Sequence, residues 1–291
     1  MGRELMNQLQ LFGAIEIGLI YSLVAIGVYI TFKVIDFPDL TVDGSFTLGA
    51  AVSSAIIFAG YDPYLATIAA IFAGSLSGMI TGYLNVRWEI LGLLAGILTM
   101  TALYSINLRI MGRPNIAIID SATVFKNWSI IITILIVTIV SIFMLARFFA
   151  SEFGLAVRAI GINPKVSTAY GIKVGLMKIV ALSISNAIVA LAGSLFAQSQ
   201  GFADISMGMG TIIVGLASVI IGDALLHPER IWVGLATCAV GSILYRIVIA
   251  FALNAHDIGL EASDLNLITA LLVALTMIAS KLKKKRSVRV I

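Results

Sequence analysis

The sequence predicts an all-α integral membrane protein with about nine membrane-crossing helices, some of them short or broken. Three observations lead there. The 291 residues are 60% hydrophobic and 12% charged, with a mean hydropathy of +1.06, whereas a soluble domain is about half apolar and a quarter charged. One core cannot bury that excess, so lipid must solvate much of the surface. Apolar runs of spanning length, roughly 17 to 25 residues, recur along the chain. Between the first two lies "DFPDLTVDGSFTLGAA", which places Asp36, Asp39 and Asp43 within eight residues. Charge at membrane depth is costly and marks function.

Spans are expected at about 11–33, 64–86, 90–110, 129–149, 176–198, 206–225, 231–253 and 265–281, with a ninth, short and rich in small residues, at about 45–59. The ninth reads as a broken or re-entrant helix, which is tolerated only beside protein or water. The plausible count runs from eight to ten. The first run is long enough to span and has no cleavable-signal pattern. Pro38 lacks an N–H and biases Phe37 away from helix, so the first span should end there. Either Asp43 or Ser45 is then expected to cap a short helix starting near Phe46. Asp43 has a second reading, as a contact for solute in a cavity. Glu16, a turn and a half into the first span, either reaches the outer interface or attracts a cationic group. Asn107, Asn186 and Gln198 are isolated polar residues suited to interhelical hydrogen bonds.

Orientation follows from charge. Six of the nineteen basic residues lie in the final eleven positions, "KLKKKRSVRVI", which marks the cytoplasmic side. Counting back, the acidic loop 254–264 faces out, while "HPER" at 227–230 and the 150–175 segment, with Arg158, Lys165 and Lys173, face in. Arg113 in "GRPN" is a mild exception to the positive-inside rule. Nine spans put the N-terminus outside; eight plus a re-entrant segment would put it inside. The halves also look alike: a span, an acidic Gly–Ser loop ("DLTVDGSFTLGAA"; "FADISMGMGTIIVG", which holds Asp204), then a small-residue span. The two units have opposite orientation by this count, as in the inverted repeats of transporters.

Residues 1–291 read as one transmembrane domain, with a cytoplasmic segment at about 150–175 and a basic tail at 281–291. Within "SEFGLAVRAIGINPKVSTAYGIKVGLMK" (151–178), an amphipathic pattern runs through Phe153, Val157 and Ile160 and breaks at "GINP". Asn163 and Pro164 suit the N-cap and first position of a new short helix, and Gly171 suits its end. By composition alone this is either a docking element or an ordinary surface loop.

The stretch resembles the cytoplasmic coupling loop of ABC importer permeases of the branched-chain amino acid and ribose type, "G-x-x-x-R-A-x-x-x-(D/N)-x-x-x-A-x-x-x-G-I". Gly154, Arg158, Ala159, Asn163, Gly171 and Ile172 fall on that pattern, with Gly161 and Pro164 between them and Ser167 where the family often has alanine. The opening "GLIYSLVAIGVYITFKVIDF" and the following "DFPDLTVDGSFTLGAAV" are also similar, the latter to a branch associated with import of aromatic or other amino acids. The resemblance implies a type II-like inverted-repeat permease in a bacterial cytoplasmic membrane, with its C-terminus inside. It further implies a separate cytoplasmic ATPase dimer docked on the coupling residues, an extracytoplasmic substrate-binding protein and a second permease copy.

The chain itself has no G-x-x-x-x-G-K-[ST], so ATP and magnesium are expected on the ATPase and no cofactor on this chain. No metal cluster or nucleophile–base pair can be assembled from His227, His256 and Cys238, so an enzyme is not expected, nor is nucleic acid a partner. Pathway candidates are Glu16, Asp39, Asp43, Ser45 and Asp204. The expected cargo is an aromatic or branched-chain amino acid, with a sugar or nucleoside as the alternative. A proton-coupled secondary transporter is the competing mechanism.

Overall fold

The computed structural model describes residues 8–119, 121–126, 129–226 and 230–254, together with Leu271 and Ala274. The basic tail, His227, His256 and nearly all of the expected 265–281 span lie outside the described residues. The elements are α1 (Gln8–Val28), α2 (Thr41–Phe58), α3 (Pro63–Arg87), α4 (Gly92–Met111), β1 (Asn115–Ala117), α5 (Ile130–Ala150), α6 (Glu152–Ile162), α7 (Pro164–Ala169), α8 (Val174–Gln200), β2 (Phe202–Asp204), α9 (Thr211–Leu226) and α10 (Ile231–Asn254). Among the described residues, seven helices are long and apolar enough to cross a membrane, and α9 is a shorter apolar helix. The expected spans between residues 11 and 253 correspond to these helices within about five residues at each end.

Helix ends follow local chemistry. Asp62 caps α3 by accepting from Tyr64 N (2.8 Å) and Leu65 N (3.3 Å), with Pro63 at the first helical position. Asn163 caps α7 as expected, accepting from Lys165 N and Val166 N, both at 3.1 Å. Gly171, with φ of +81°, turns the chain after α7, a conformation that suits glycine.

The centre is a tight three-helix contact of α2, α3 and α8. Gly74, Gly78 and Gly82 recur every fourth residue on α3, and a Cβ at any of them would strike α8 at Asn186, Leu182 or Ile179. Small residues on one helix face allow backbones to approach closely where the hydrophobic effect offers no drive. Thr41–Thr81 (2.8 Å) and Ser45–Ser77 (2.7 Å) then join α2 to α3 through hydroxyl pairs. Asn107 and Gln198 form interhelical bonds as expected, and Asn186 ties α8 to the non-helical segment before α2. Asn107 donates to Gly44 O (3.3 Å), Asn186 to Asp39 Oδ2 (2.8 Å) and Gln198 to Thr67 Oγ1 (2.9 Å).

Two chain segments enter this bundle from opposite ends. At the end that carries α6 and α7, α1 finishes in a π-helical stretch, Tyr29–Val34, and Asp36 turns the chain with φ of +50°. Thus the first span ends at Val34, three residues before Phe37, the chain turns at the left-handed Asp36, and Pro38 lies in the non-helical stretch beyond it. Residues 35–40 then climb beside α4: Phe37 meets Gly92, Leu40 meets Gly96, and Gly44 of α2 meets Met100 and Leu103. The climb from Gly92 to Met100 is about 12 Å at 1.5 Å per residue. At the other end, β2 pairs antiparallel with β1, Ile116 opposite Ala203, and residues 205–210 descend to start α9.

The end of α9 is marked by the Asp223–Lys33 ion pair, so its first residue lies about 18 Å deeper in the bundle. Helix α1 runs opposite to α8, with Gly27 against Ser185 and Tyr21 against Phe196, and α9 runs alongside α1, with Gly215 against Val24 and Val28. The unit α1–α2 is therefore inverted relative to α8–α9, as the repeated loops suggested. The short span differs in one respect. It is a continuous 18-residue helix from Thr41, and the break lies before it, in residues 35–40.

Candidate transport pathway and coupling surface

The two entering segments meet at Asp43. Its carboxylate accepts from Gly210 N (3.0 Å), Ile212 N (2.8 Å) and the Thr211 hydroxyl (2.8 Å). The first N–H groups of a helix have no intrahelical acceptor and carry partial positive charge. Asp43 supplies the missing acceptor for α9, across 168 residues of sequence to Thr211. This corrects the expectation that Asp43 or Ser45 caps its own helix. Helix α2 starts earlier, at Thr41, where Asp39 Oδ1 accepts from Thr41 N (2.9 Å). Asp43, already inside the first turn, points outward to α9.

The other acidic and polar candidates separate. Asp39 is fully buried and held by Thr41 and Asn186. Ser45 is buried at the α2–α3 contact against Ser77. Asp204 lies on β2, where the Ser206 hydroxyl and N–H hold its carboxyl below the usual range. Glu16 is half-buried on α1 and has no ion-pair partner among the described residues. Of the five pathway candidates, only Asp43 borders the cavity beside the junction.

That cavity, of about 370 Å³, lies between α2, α4 and the 205–209 segment, with Thr47, Met100, Tyr104, Asn107 and Met209 among its lining residues. Its volume is in the range of small-molecule sites, and its wall is mostly apolar with few polar groups. Asn107 is 1% exposed, and its Oδ1 has no hydrogen-bond partner. A buried acceptor left unpaired costs stability, so a donor in the cavity would relieve it. Asn107 was read from sequence as an interhelical tie, and its amide nitrogen does that; the free oxygen is visible only in the fold.

Arg246 was missed altogether. It lies inside the apolar run of α10, its guanidinium 4.1 Å from the Tyr21 ring centroid and its buried Nε unpartnered. Tyr21 in turn packs with Phe46 (5.7 Å between centroids) and Phe196 (5.9 Å), which also pack on each other (5.6 Å). The signal was available, since a cation inside a spanning run is a functional candidate for the same reason as an acid.

The expected coupling residues form one unit outside the bundle. Gly154 abuts the Phe148–Phe149 backbone, and a Cβ at Gly161 would strike the Val34 carbonyl at the end of the first span. Val157 and Ile160 face inward at 0% and 1% exposure, but Phe153 is 62% exposed and Gly154 takes the inward position instead. The amphipathic pattern is therefore one residue out of phase at its start. Ala159 is half-buried, and Ser167 is buried with its hydroxyl donating to Asn163 O (2.9 Å). Ile162 and Tyr170, at 87% and 83% exposure, form an apolar outer surface with Phe153 and Val166. Arg158 is turned sideways into a second cavity with Lys33 and Arg230.

Comparison with known proteins agrees with this architecture. Residues 10–280 match the family described as branched-chain amino acid transport system / permease component. A tyrosine transport system permease protein of Clostridioides difficile (strain R20291) is 38% identical over 256 residues, covering 88% of this chain and 86% of that protein. An uncharacterized protein of Rickettsia prowazekii (strain Madrid E) is 34% identical over 283 residues, covering 93% and 98%. Among solved structures, PsaBC from Streptococcus pneumoniae in complex with Fab aligns with a TM-score of 0.52 at 14% identity, over 92% of this chain and 89% of that one. A metal-chelate type ABC transporter in an inward-facing conformation aligns at 0.50 and 14%, over 94% and 85%. At that identity the structural likeness shows the fold alone. The chain is a multi-pass membrane protein and a transport subunit, not an enzyme, and it belongs to the branched-chain amino acid transport system permease family.

Proposed function

We propose that this chain forms the translocation pathway of a binding-protein-dependent ABC importer for an amino acid, aromatic or branched, in a bacterial cytoplasmic membrane with its C-terminus inside. The observation that carries the reading is the α6–α7 unit. It presents exposed Ile162 and Tyr170 outward while Gly161 rests on the Val34 carbonyl. An ATPase dimer docked on that surface, with ATP and magnesium its own, would push on the end of the first span. Residues 35–40 follow directly, and through Asp39–Asn186 and Asp43–α9 the displacement reaches the cavity.

Two permease copies complete the pathway in this reading, and an extracytoplasmic binding protein delivers the solute. The tyrosine permease relative supports an aromatic cargo, as do the apolar wall, Tyr104 and the free Asn107 oxygen, which suits an ammonium or hydroxyl donor. A proton-driven carrier is less well supported at Asp43, whose carboxylate is engaged by fixed donors, and would have to run through Glu16.

The test is uptake of labelled tyrosine into proteoliposomes holding the permease, its ATPase and loaded binding protein. Uptake should require ATP, and Asn107→Leu should lower it about tenfold, the worth of one hydrogen bond to a charged group. Uptake driven by a proton gradient without ATP would contradict the reading. ATP-driven uptake of a sugar or nucleoside with none of tyrosine or leucine would contradict the cargo alone.

A further inference from the structure

At the α6–α7 end, a cavity of about 200 Å³ is lined by Tyr29, Lys33, Arg158, Ile162, Arg230 and Ile231. Three cations from three separate elements converge there: the end of the first span, α6, and the residue preceding α10. Lys33 is paired with Asp223, but neither Arg158 nor Arg230 has an ion-pair or hydrogen-bond partner among the described residues. Among the described residues three positive charges face one carboxylate and repel one another, more so beside an apolar wall than in water. The start of α10 puts its positive end on the same wall, since Arg230 O accepts the first helical bond, from Gly234 N (3.0 Å).

We propose that this cavity binds a phosphate group, with the Arg158 and Arg230 guanidiniums as its principal donors. Guanidinium forks match phosphate oxygens in pairs, and a helix N-terminus adds backbone donors. The group comes either from the headgroup of an anionic phospholipid or from free phosphate. Basic pockets between membrane helices on one side of the bilayer suit such headgroups. Arg158 is then a ligand-binding residue beside Ile162, one turn on along the same face of α6, and an occupied pocket ties α6 to the end of α1 and the start of α10.

The experiment uses the full-length chain in detergent micelles doped with phosphatidylglycerol or with phosphatidylcholine, reading lipid retained per chain by native mass spectrometry. In parallel, thermal unfolding is followed in lipid-free micelles with and without inorganic phosphate. The wild type should retain phosphatidylglycerol over phosphatidylcholine, and Arg158→Gln or Arg230→Gln should each weaken retention about tenfold. Lys165→Gln/Lys173→Gln, which removes exposed cations of the same end, should leave it unchanged. If phosphate stabilises the wild type but not the two arginine variants and no lipid is retained, free phosphate is the source. The proposal is overturned if the arginine variants match the wild type in both measurements, or if the lysine pair loses as much retention as they do. Arg230 is exposed, so Arg230→Gln remains a valid test should Arg158→Gln fail to fold.

Discussion

Replacing Asp43 tests the junction of the two inverted units. Its carboxylate satisfies two backbone N–H groups and one hydroxyl of a helix whose Thr211 and Ile212 are 1% and 6% exposed. Asp43→Ala leaves both N–H groups without an acceptor. At about 1–3 kcal/mol for each of two groups the loss should total about 2–6 kcal/mol, more than the roughly 1 kcal/mol of an ordinary exposed cap. Asp43→Asn keeps one oxygen, which can serve Ile212 N, but turns an NH2 toward Gly210 N or Thr211. It should cost about 1–3 kcal/mol, one unsatisfied donor. The assay is reversible unfolding in mixed micelles with a denaturing detergent, comparing both variants with wild type. An Asp43→Ala protein as stable as wild type would refute the cap between helices. An Asp43→Asn protein that is folded, assembled and poorly active would show that the charge also acts on transport.

Two further predictions concern packing and sides. Gly161→Ala should prevent α6 from seating on Val34, lowering assembly of the folded permease, whereas Gly171→Asn, which tolerates positive φ, should be nearly neutral; expression of monodisperse protein measures both. Single cysteines at Ser263 and Ser287 in a Cys238→Ser background should react with an impermeant thiol reagent from outside and inside respectively. Labelling of both from one side would overturn the orientation.

Much of the fold was legible because spans are set by bilayer thickness. Hydropathy alone located the helices, and the caps at Asn163 and the turn at Gly171 obey rules that act within three residues. The site was less legible because its contacts are long-range. The capping pattern around Asp43 pointed to its own helix, and only folding brings α9 to it. Ser45 and Asp39 read as pathway acids and hydroxyls, yet the glycine ladder of α3 draws them into a helix contact. Arg158 was legible as a motif residue, but its direction depends on which face of α6 Gly154 and Gly161 press inward. Arg246 was legible in principle and was passed over in favour of acids.

The central claim is that α6–α7 is the surface through which an ATPase drives this permease. Co-purification of the ATPase of the same transport system with Ile162→Asp and Tyr170→Asp permeases tests it most directly, because both side chains are more than four-fifths exposed, and Tyr170 lies apart from the cavity that Ile162 lines with Arg158. The account predicts variants that are folded and monodisperse but retain little ATPase, with ATP hydrolysis no longer stimulated by loaded binding protein. ATPase retained and stimulated as in the wild type, in both variants, would contradict it.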